Sequence, residues 1–182
     1  TGVVASPDDV VTVLEESRRL GFLGDREIGE VISHARRFVS ALDDVRGEVV
    51  DLGSGGGVPG LVVAVDRPDL AVTLVDRRTK RTDFLERMVS RLDLGDRVTV
   101  RACDVEQLIA DRPASFSAAT ARGFGPPMET LRSALDLVVA GGLVVISEPP
   151  SGDRWDTELV RSAGAMRRDG VVDGVATFER IG

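Results

Sequence analysis

Five glycines fall within the ten residues Asp51-Leu52-Gly53-Ser54-Gly55-Gly56-Gly57-Val58-Pro59-Gly60, and no other stretch restricts the fold of this chain as much. An apolar run over 45–52 precedes them and reads as a strand; another over 58–65 follows and reads as a helix. Glycine lets the backbone turn sharply with positive φ and brings a ligand against main-chain N–H groups with no Cβ in the way. A strand, a glycine turn and a helix in that order are the usual cradle for a nucleotide-like ligand.

The rest of the chain agrees with that unit. After Gly47 short apolar runs alternate with helical segments: strands near 48–52, 70–76, 97–102, 115–121, 142–148 and 171–180, the last read as one strand or a broken pair. Helices are expected near 58–66, 79–93, 104–111, 127–139 and 153–167. Such alternation implies parallel strands joined by right-handed crossovers, hence an α/β, Rossmann-like sheet of about seven strands with helices on both faces. Ligands in these sheets bind at the carboxyl ends of the strands, near the point where strand order reverses. Ahead of the sheet, Ser6-Pro7-Asp8-Asp9 supplies an N-cap, a proline and first-turn acid for one helix, which Gly21 is placed to stop. A second helix starts at Asp25, with Ile28, Val31, Ile32, Ala35, Val39 and Leu42 on one face and Arg36 and Arg37 on the other. We therefore expect an N-terminal helical extension, 1–44, packed on a domain spanning 45–182.

Composition limits the function classes. At 182 residues, 42% hydrophobic and 29% charged, the chain has globular values and length for one real core. No apolar run reaches the roughly 18 residues of a membrane span, and no basic segment followed by an apolar one marks a secretory signal. With one cysteine, Cys103, no internal disulfide can form, and a reducing cytoplasm is the expected location. A net charge of -7 argues against a protein that coats nucleic acid non-specifically, though not against a local basic patch.

Three acids bear on the ligand. Gly55-Gly56-Gly57-Val58-Pro59-Gly60 matches G-x-G-x-x-G, so a nicotinamide or flavin dinucleotide and an empty β-to-α turn both have to be weighed. Asp51, two residues before the first glycine, would repel a pyrophosphate and attract an ammonium. The pattern resembles the D/E-x-G-x-G-x-G signature of class I S-adenosylmethionine methyltransferases, whose cofactor is a zwitterion. Asp76 closes the second strand, where a carboxylate can accept hydrogen bonds from ribose hydroxyls; an NAD enzyme would place an acid there too. Asp104 follows the third strand, as a helix N-cap, a contact to adenine, or both.

The resemblance narrows further. Asp51-x-Gly53-x-Gly55-x-Gly57-x-Pro59-Gly60, Leu74-Val75-Asp76-x-x-x-Lys80-Arg81-x-x-Phe84-Leu85 and Ala121-Arg122-x-Phe124 resemble the bacterial 16S ribosomal RNA guanine-N7 methyltransferases, the RsmG or GidB family, over roughly residues 28–148. The resemblance implies S-adenosylmethionine as cofactor and 16S ribosomal RNA or the 30S subunit as partner. It further implies contacts to the cofactor from Asp51, Gly53, Gly55, Gly57, Val58, Asp76, Asp104, Val105 and Glu106, with Arg122 beside the cofactor or the reacting base as the catalytic candidate. Where the family usually has Ser-Arg-Ala-Phe-Ala, this chain has Ala121-Arg122-Gly123-Phe124-Gly125-Pro126-Pro127.

Residue chemistry is compatible with that identity. Guanine N7 carries an exposed lone pair and no proton, so its methylation demands alignment more than a general base. The chain has no Asn/Asp-Pro-Pro-aromatic motif of the exocyclic-amine enzymes, and Cys103 is not in a Pro-Cys setting; it reads as a buried strand residue. His34, the single histidine, falls on the polar side of the second helix and reads as solvated, and no zinc set is available. Arg77, Arg78, Lys80 and Arg81, continued by Arg87 and Arg91, read either as a phosphate-binding patch or as a solvated helix face balanced by Asp83, Glu86 and Asp93. Aromatic residues are 4% of the chain, and Phe124 beside Arg122 is the best stacking candidate. Glu148 faces the site or caps the next helix, while Trp155, Leu159, Ala163 and Met166 have the spacing of a helical core stripe. The competing functions are methylation of a small molecule, which the acidic balance favours, and a silent cofactor-binding module that works through a partner protein.

Overall fold

The computed structural model describes residues 5–151, 154–168 and 172–182; the parts of the expected elements at 1–4, 153 and 171 lie outside the described residues. The strand Gly47–Leu52 (β1) is buried on both faces from Val49 onward, which suits a central position in a parallel sheet. Its two neighbours, Leu70–Asp76 (β2) and Phe116–Ala121 (β4), both run parallel to it. Outside them lie Val98–Ala102 (β3) and Val138–Ser147 (β5), again parallel. Val175–Arg180 (β7) returns antiparallel between β5 and Ala165–Arg168 (β6), so the order is β3-β2-β1-β4-β5-β7-β6.

Alternate side chains of each strand enter opposite layers. Val49, Val72 and Leu74 pack with Leu61 and Val63 of the helix Gly60–Asp66 (α3) and with Phe84, Leu85 and Met88 of Thr79–Arg91 (α4). Val50, Leu52, Val75 and Val144 pack with Leu108 of Val105–Asp111 (α5), with Leu131 and Leu135 of Pro127–Leu137 (α6), and with Val160 of Thr157–Ser162 (α7). The N-terminal helices Pro7–Arg19 (α1) and Ile28–Ala41 (α2) lie on the first layer. Val13, Phe38 and Ala41 join its core, while Val10, Leu14, Ile28 and Val31 close over Val58 and Val62. The expected cap of α1 is present as a reciprocal box: Ser6 N–H donates to Asp9 Oδ2 at 2.8 Å and Asp9 N–H donates to Ser6 Oγ at 3.4 Å.

Three expectations change. The helix expected over 153–167 is confined to Thr157–Ser162, and the apolar stripe read from its spacing does not form: Leu159 and Met166 are 48% and 55% exposed. Trp155 is buried ahead of the helix, its indole N–H donating to Glu148 Oε1 at 2.7 Å and its ring packed edge-on to Phe178 at 4.6 Å. Gly164, with φ +86, then turns the chain so that 165–168 serve as an edge strand, which a continuing helix would have consumed. Glu148 does not cap α7; Asp156 does, accepting from the N–H groups of Glu158 and Leu159 at 2.9 and 3.0 Å. β5 starts at Val138, earlier than its apolar run suggests, because Val138 pairs with Phe116 before the register shifts at Ala118.

The topology already locates a crevice. From β1 the chain winds outward through β2 and β3, then crosses back to β4 on the other flank of β1. The loops leaving β1 and β4 therefore diverge at their carboxyl ends, and ligands of such sheets bind in that gap. Among the described residues no helix is long and apolar enough to cross a membrane.

Candidate active site

The glycine loop leaves β1 between two sets of anchors. Ser54 ties it to β2: its Oγ donates to the Asp51 carbonyl at 2.9 Å and accepts from Val75 N–H at 3.0 Å. Gly55 N–H donates to Asp76 Oδ2 at 3.0 Å. Behind the loop, the Gly56 carbonyl accepts from the fully buried Ser17 Oγ at 2.8 Å. A Cβ on Gly56 would stand 2.6 Å from Ser17 Oγ, 2.7 Å from Leu23 Cδ2 and 2.7 Å from the Phe22 carbonyl, so only glycine allows the N-terminal extension this close.

Asp51 turns inward. It is 1% exposed; Oδ1 accepts from Thr120 Oγ1 at 2.7 Å and Oδ2 accepts from Gly60 N–H at 3.2 Å. Thr120 is its register partner across the β1–β4 pair, and Gly60 opens α3, so the carboxylate, itself on β1, joins β4 to the helix after the loop. Burial drives its pKa up from 3.8 to about 6 against the lowering effect of these hydrogen bonds and of Arg122. Each oxygen of the Asp51 carboxylate thus carries a hydrogen bond made inside the fold, one of them because β4 supplies a hydroxyl opposite it. Gly55, Gly57 and Val58 are buried as well and shape the loop from within.

The ligand-facing surface is elsewhere on the same edge. A cavity of ≈ 440 Å³ opens where β1, β2 and β3 end, and Gly53, Asp76, Asp104, Val105 and Glu106 all line it. Asp76 is 3% exposed; besides Gly55, it accepts from Arg78 N–H at 2.9 Å and pairs with Arg78 Nε at 3.2 Å. Asp104 occupies the N-cap position of α5 but makes no side-chain capping bond, which leaves its carboxylate to the cavity. Cys103 also lines the wall, its thiol held protonated further up the pH scale by burial. Gly53 adopts φ +67, and a Cβ there would lie 2.8 Å from Phe124 Cδ2, so the Phe124 ring closes over that glycine. Thr130 Oγ1, buried at 2% exposure and lining this cavity, has no hydrogen-bond partner among the described residues.

A second cavity, ≈ 1260 Å³, adjoins the first at Gly123, Phe124, Gly125 and Thr130. Arg122 lines it from the end of β4, and Arg26, His34 and Arg37 line it from the N-terminal extension. His34 corrects the expectation of a solvated surface residue: it packs edge-on to Phe38 at 5.7 Å, its Nδ1 is buried without a partner among the described residues, and burial followed by Arg122 lowers its pKa. Glu148 faces this cavity while bonded to Trp155 and, at 3.3 Å, to Arg154. On α4 the basic cluster is partly engaged: Arg91 pairs with Glu16 at 3.1 Å and Arg81 lies over the Phe22 ring at 5.6 Å, whereas Arg77, Lys80 and Arg87 are exposed.

With the sheet order, the loop and the two cavities in view, the relatives of the chain can be compared. Residues 10–173 match the family model GidB, rRNA small subunit methyltransferase G. The chain belongs to this family. The ribosomal RNA small subunit methyltransferase G of Salinispora tropica is 36% identical over 138 residues, 74% of this chain and 51% of that protein. That of Corynebacterium jeikeium is 33% identical over 165 residues, 89% of this chain and 72% of that protein. The chain thus spans about half the length of the first of these relatives. In fold it is similar to the S-adenosylmethionine-dependent methyltransferase SibL in its apo form, with a TM-score of 0.66 at 19% identity over 94% of this chain and 70% of that one. The sheet is that of the class I methyltransferases.

Several residues around the family site were not legible in advance. Ser17, Phe22 and Leu23, which back the loop, and Arg26, His34 and Arg37, which line the larger cavity, sit on the N-terminal extension at distances set by packing. Thr120 had a signal: it is two residues before Arg122 on a strand that must flank β1 once the order reverses.

Proposed function

We propose that this chain transfers the methyl group of S-adenosylmethionine to N7 of a guanine in 16S ribosomal RNA, acting on the 30S subunit in the cytoplasm. The observation that carries the reading is the pair of joined cavities at the carboxyl edge of the sheet, one floored by Gly53 and Asp76, the other by Arg122. Family membership supports the chemistry, and the donor set fits the cofactor. A shielded carboxylate at Asp76 suits ribose hydroxyls, the Asp104–Glu106 corner suits an adenine edge, Gly53 brings no side chain to the cavity wall, and Thr130 offers a hydroxyl unpaired among the described residues where the cavities meet. When bound, S-adenosylmethionine supplies an electrophilic sulfonium methyl.

The residues divide the work accordingly. Gly53, Asp76, Asp104, Val105 and Glu106 hold the cofactor, while Asp51, Gly55, Gly57 and Val58 keep the loop in shape from behind. Arg122 and Phe124 orient the acceptor, Phe124 by stacking beside the cavity junction. With the cofactor held there, the guanine N7 lone pair, aligned by Arg122 and Phe124, would take up that methyl, giving N7-methylguanine and leaving S-adenosylhomocysteine. No proton leaves N7, so no base is required. Residues 1–44 form the helical extension and 45–182 the methyltransferase unit.

Labelled-methyl transfer to undermethylated 30S subunits, with calorimetry against S-adenosylmethionine and NAD, tests this. Incorporation at guanine N7 of 16S RNA and heat with S-adenosylmethionine alone are expected. Heat with NAD alone, or methylation of a metabolite with the RNA left unlabelled, would defeat the reading. Heat with neither cofactor defeats it too.

A further inference from the structure

Arg122 is in an unusual electrostatic position. It is half-buried; burial lowers its pKa first, the neighbouring Arg26 lowers it further, and Asp51 is the acid that opposes them. That acid is already bonded to Thr120 and Gly60. Neither Arg122 nor Arg26 makes a salt bridge or side-chain hydrogen bond among the described residues. The acids on the cavity wall do not fill the gap: Glu27 and Glu30 form no ion pair with either arginine, and Glu148 is held by Trp155 and Arg154. Arg37 is fixed, its Nη1 donating to the Asp173 carbonyl at 3.0 Å. Beside them His34 adds no charge, since burial and the three arginines favour its neutral ring.

Arg122, half-buried, and Arg26, exposed, thus line one cavity with no anion to bridge them among the described residues, and an anion that enters it meets both guanidiniums. A phosphate suits them best, because the guanidinium fork bonds two of its oxygens at once. Resting on the methyltransferase reading above, we propose that Arg26 and Arg122 form a subsite for a backbone phosphate of the substrate RNA, next to the nucleotide that receives the methyl group. Arg122 then reaches the substrate from the sheet and Arg26 from the N-terminal extension. The extension is thereby part of the substrate site as well as a support for the glycine loop.

The test uses the full chain with Arg26→Gln and Arg26→Lys, and with Arg87→Gln on the exposed face of α4 as the comparison. Methyl transfer to 30S subunits is measured over a range of KCl, with calorimetry for S-adenosylmethionine. For Arg26→Gln we expect KM for the subunit to rise about tenfold, as for one lost charge-assisted contact. The slope of log(kcat/KM) against log[KCl] should become shallower by about one, with unchanged cofactor affinity. Arg26→Lys should restore the slope, and Arg87→Gln should leave both quantities nearer the wild type than Arg26→Gln does. An unaltered slope in Arg26→Gln, or a parallel loss of cofactor affinity, overturns the subsite. If the wild-type chain does not methylate 30S subunits, the methyltransferase reading fails by itself. The subsite is then read with inorganic phosphate: heat that Arg26→Gln abolishes supports a phosphate-bearing small molecule on the same arginines, and no heat with the wild type overturns it.

Discussion

Replacing Asp51 by asparagine isolates one buried charge. In the folded chain burial raises the carboxyl from 3.8 to about 6. At ~1.4 kcal/mol for each tenfold change in protonation, carrying the ionised form in this position costs about 3 kcal/mol. Between pH 4 and pH 6 the folded chain retains a proton that the unfolded chain has released. The slope of stability with pH from this group is therefore negative there, and the full cost is present above pH 6. The amide is nearly isosteric and keeps both contacts if its carbonyl takes the Gly60 N–H and its NH2 meets the Thr120 hydroxyl, which can turn to accept. Urea denaturation of both proteins from pH 4 to pH 8 should show the stability of Asp51→Asn, relative to wild type, rising by about 3 kcal/mol across pH 4–6 and then levelling. Subtracting the two curves removes every other titrating group common to both proteins. A difference that stays within about 1 kcal/mol across the range, or that falls with pH, would refute the assignment of Asp51 as a buried, raised carboxylate.

Other perturbations address the two sides of the loop. Ser17→Ala leaves the Gly56 carbonyl without its buried donor and should lower stability by about 1–3 kcal/mol, read by urea denaturation; no loss means that the Ser17 bond does not hold the loop. Gly53→Ala places a Cβ 2.8 Å from Phe124 Cδ2 in a left-handed conformation costing about 1–2 kcal/mol. By calorimetry it should weaken S-adenosylmethionine binding at least about tenfold while thermal unfolding moves only about 2–8 °C; unchanged affinity would mean that Gly53 does not face the cofactor. Asp76→Asn removes the charge that faces the cavity and should cost about tenfold in cofactor affinity, a charge-assisted bond being worth about 1.5–3 kcal/mol; equal affinity would remove Asp76 from the site.

The sheet was legible because its central strands are buried on both faces, which forces runs of mainly apolar and small residues such as 70–76 and 116–121. The cavity formed by Gly53, Asp76 and Asp104–Glu106 was legible for the same reason: a residue ending a parallel strand must lie at the carboxyl edge whatever packs around it. The final third was harder. Helical spacing at Trp155, Leu159, Ala163 and Met166 is real, but α7 has six residues, and the hairpin of β6 and β7 takes up the chain beyond Gly164. Local periodicity cannot anticipate which of two partners a segment will join.

The order of elements and the glycine loop determined, from sequence alone, a largely parallel sheet covered on both faces, with its candidate ligand-binding edge at the end of β1. Tertiary structure decided which way the charges face. Asp51 and Thr120 are 69 residues apart, yet share a register position, so the acid that leads the loop is hydrogen-bonded inside the fold. Arg26 and Arg122, remote in sequence, line one cavity because the N-terminal extension, whose α2 packs on α3 and β7, borders the edge where β4 ends. Strand ends are dictated by local pattern, whereas the direction of a buried charge depends on which distant donor packing brings within about 3 Å of it.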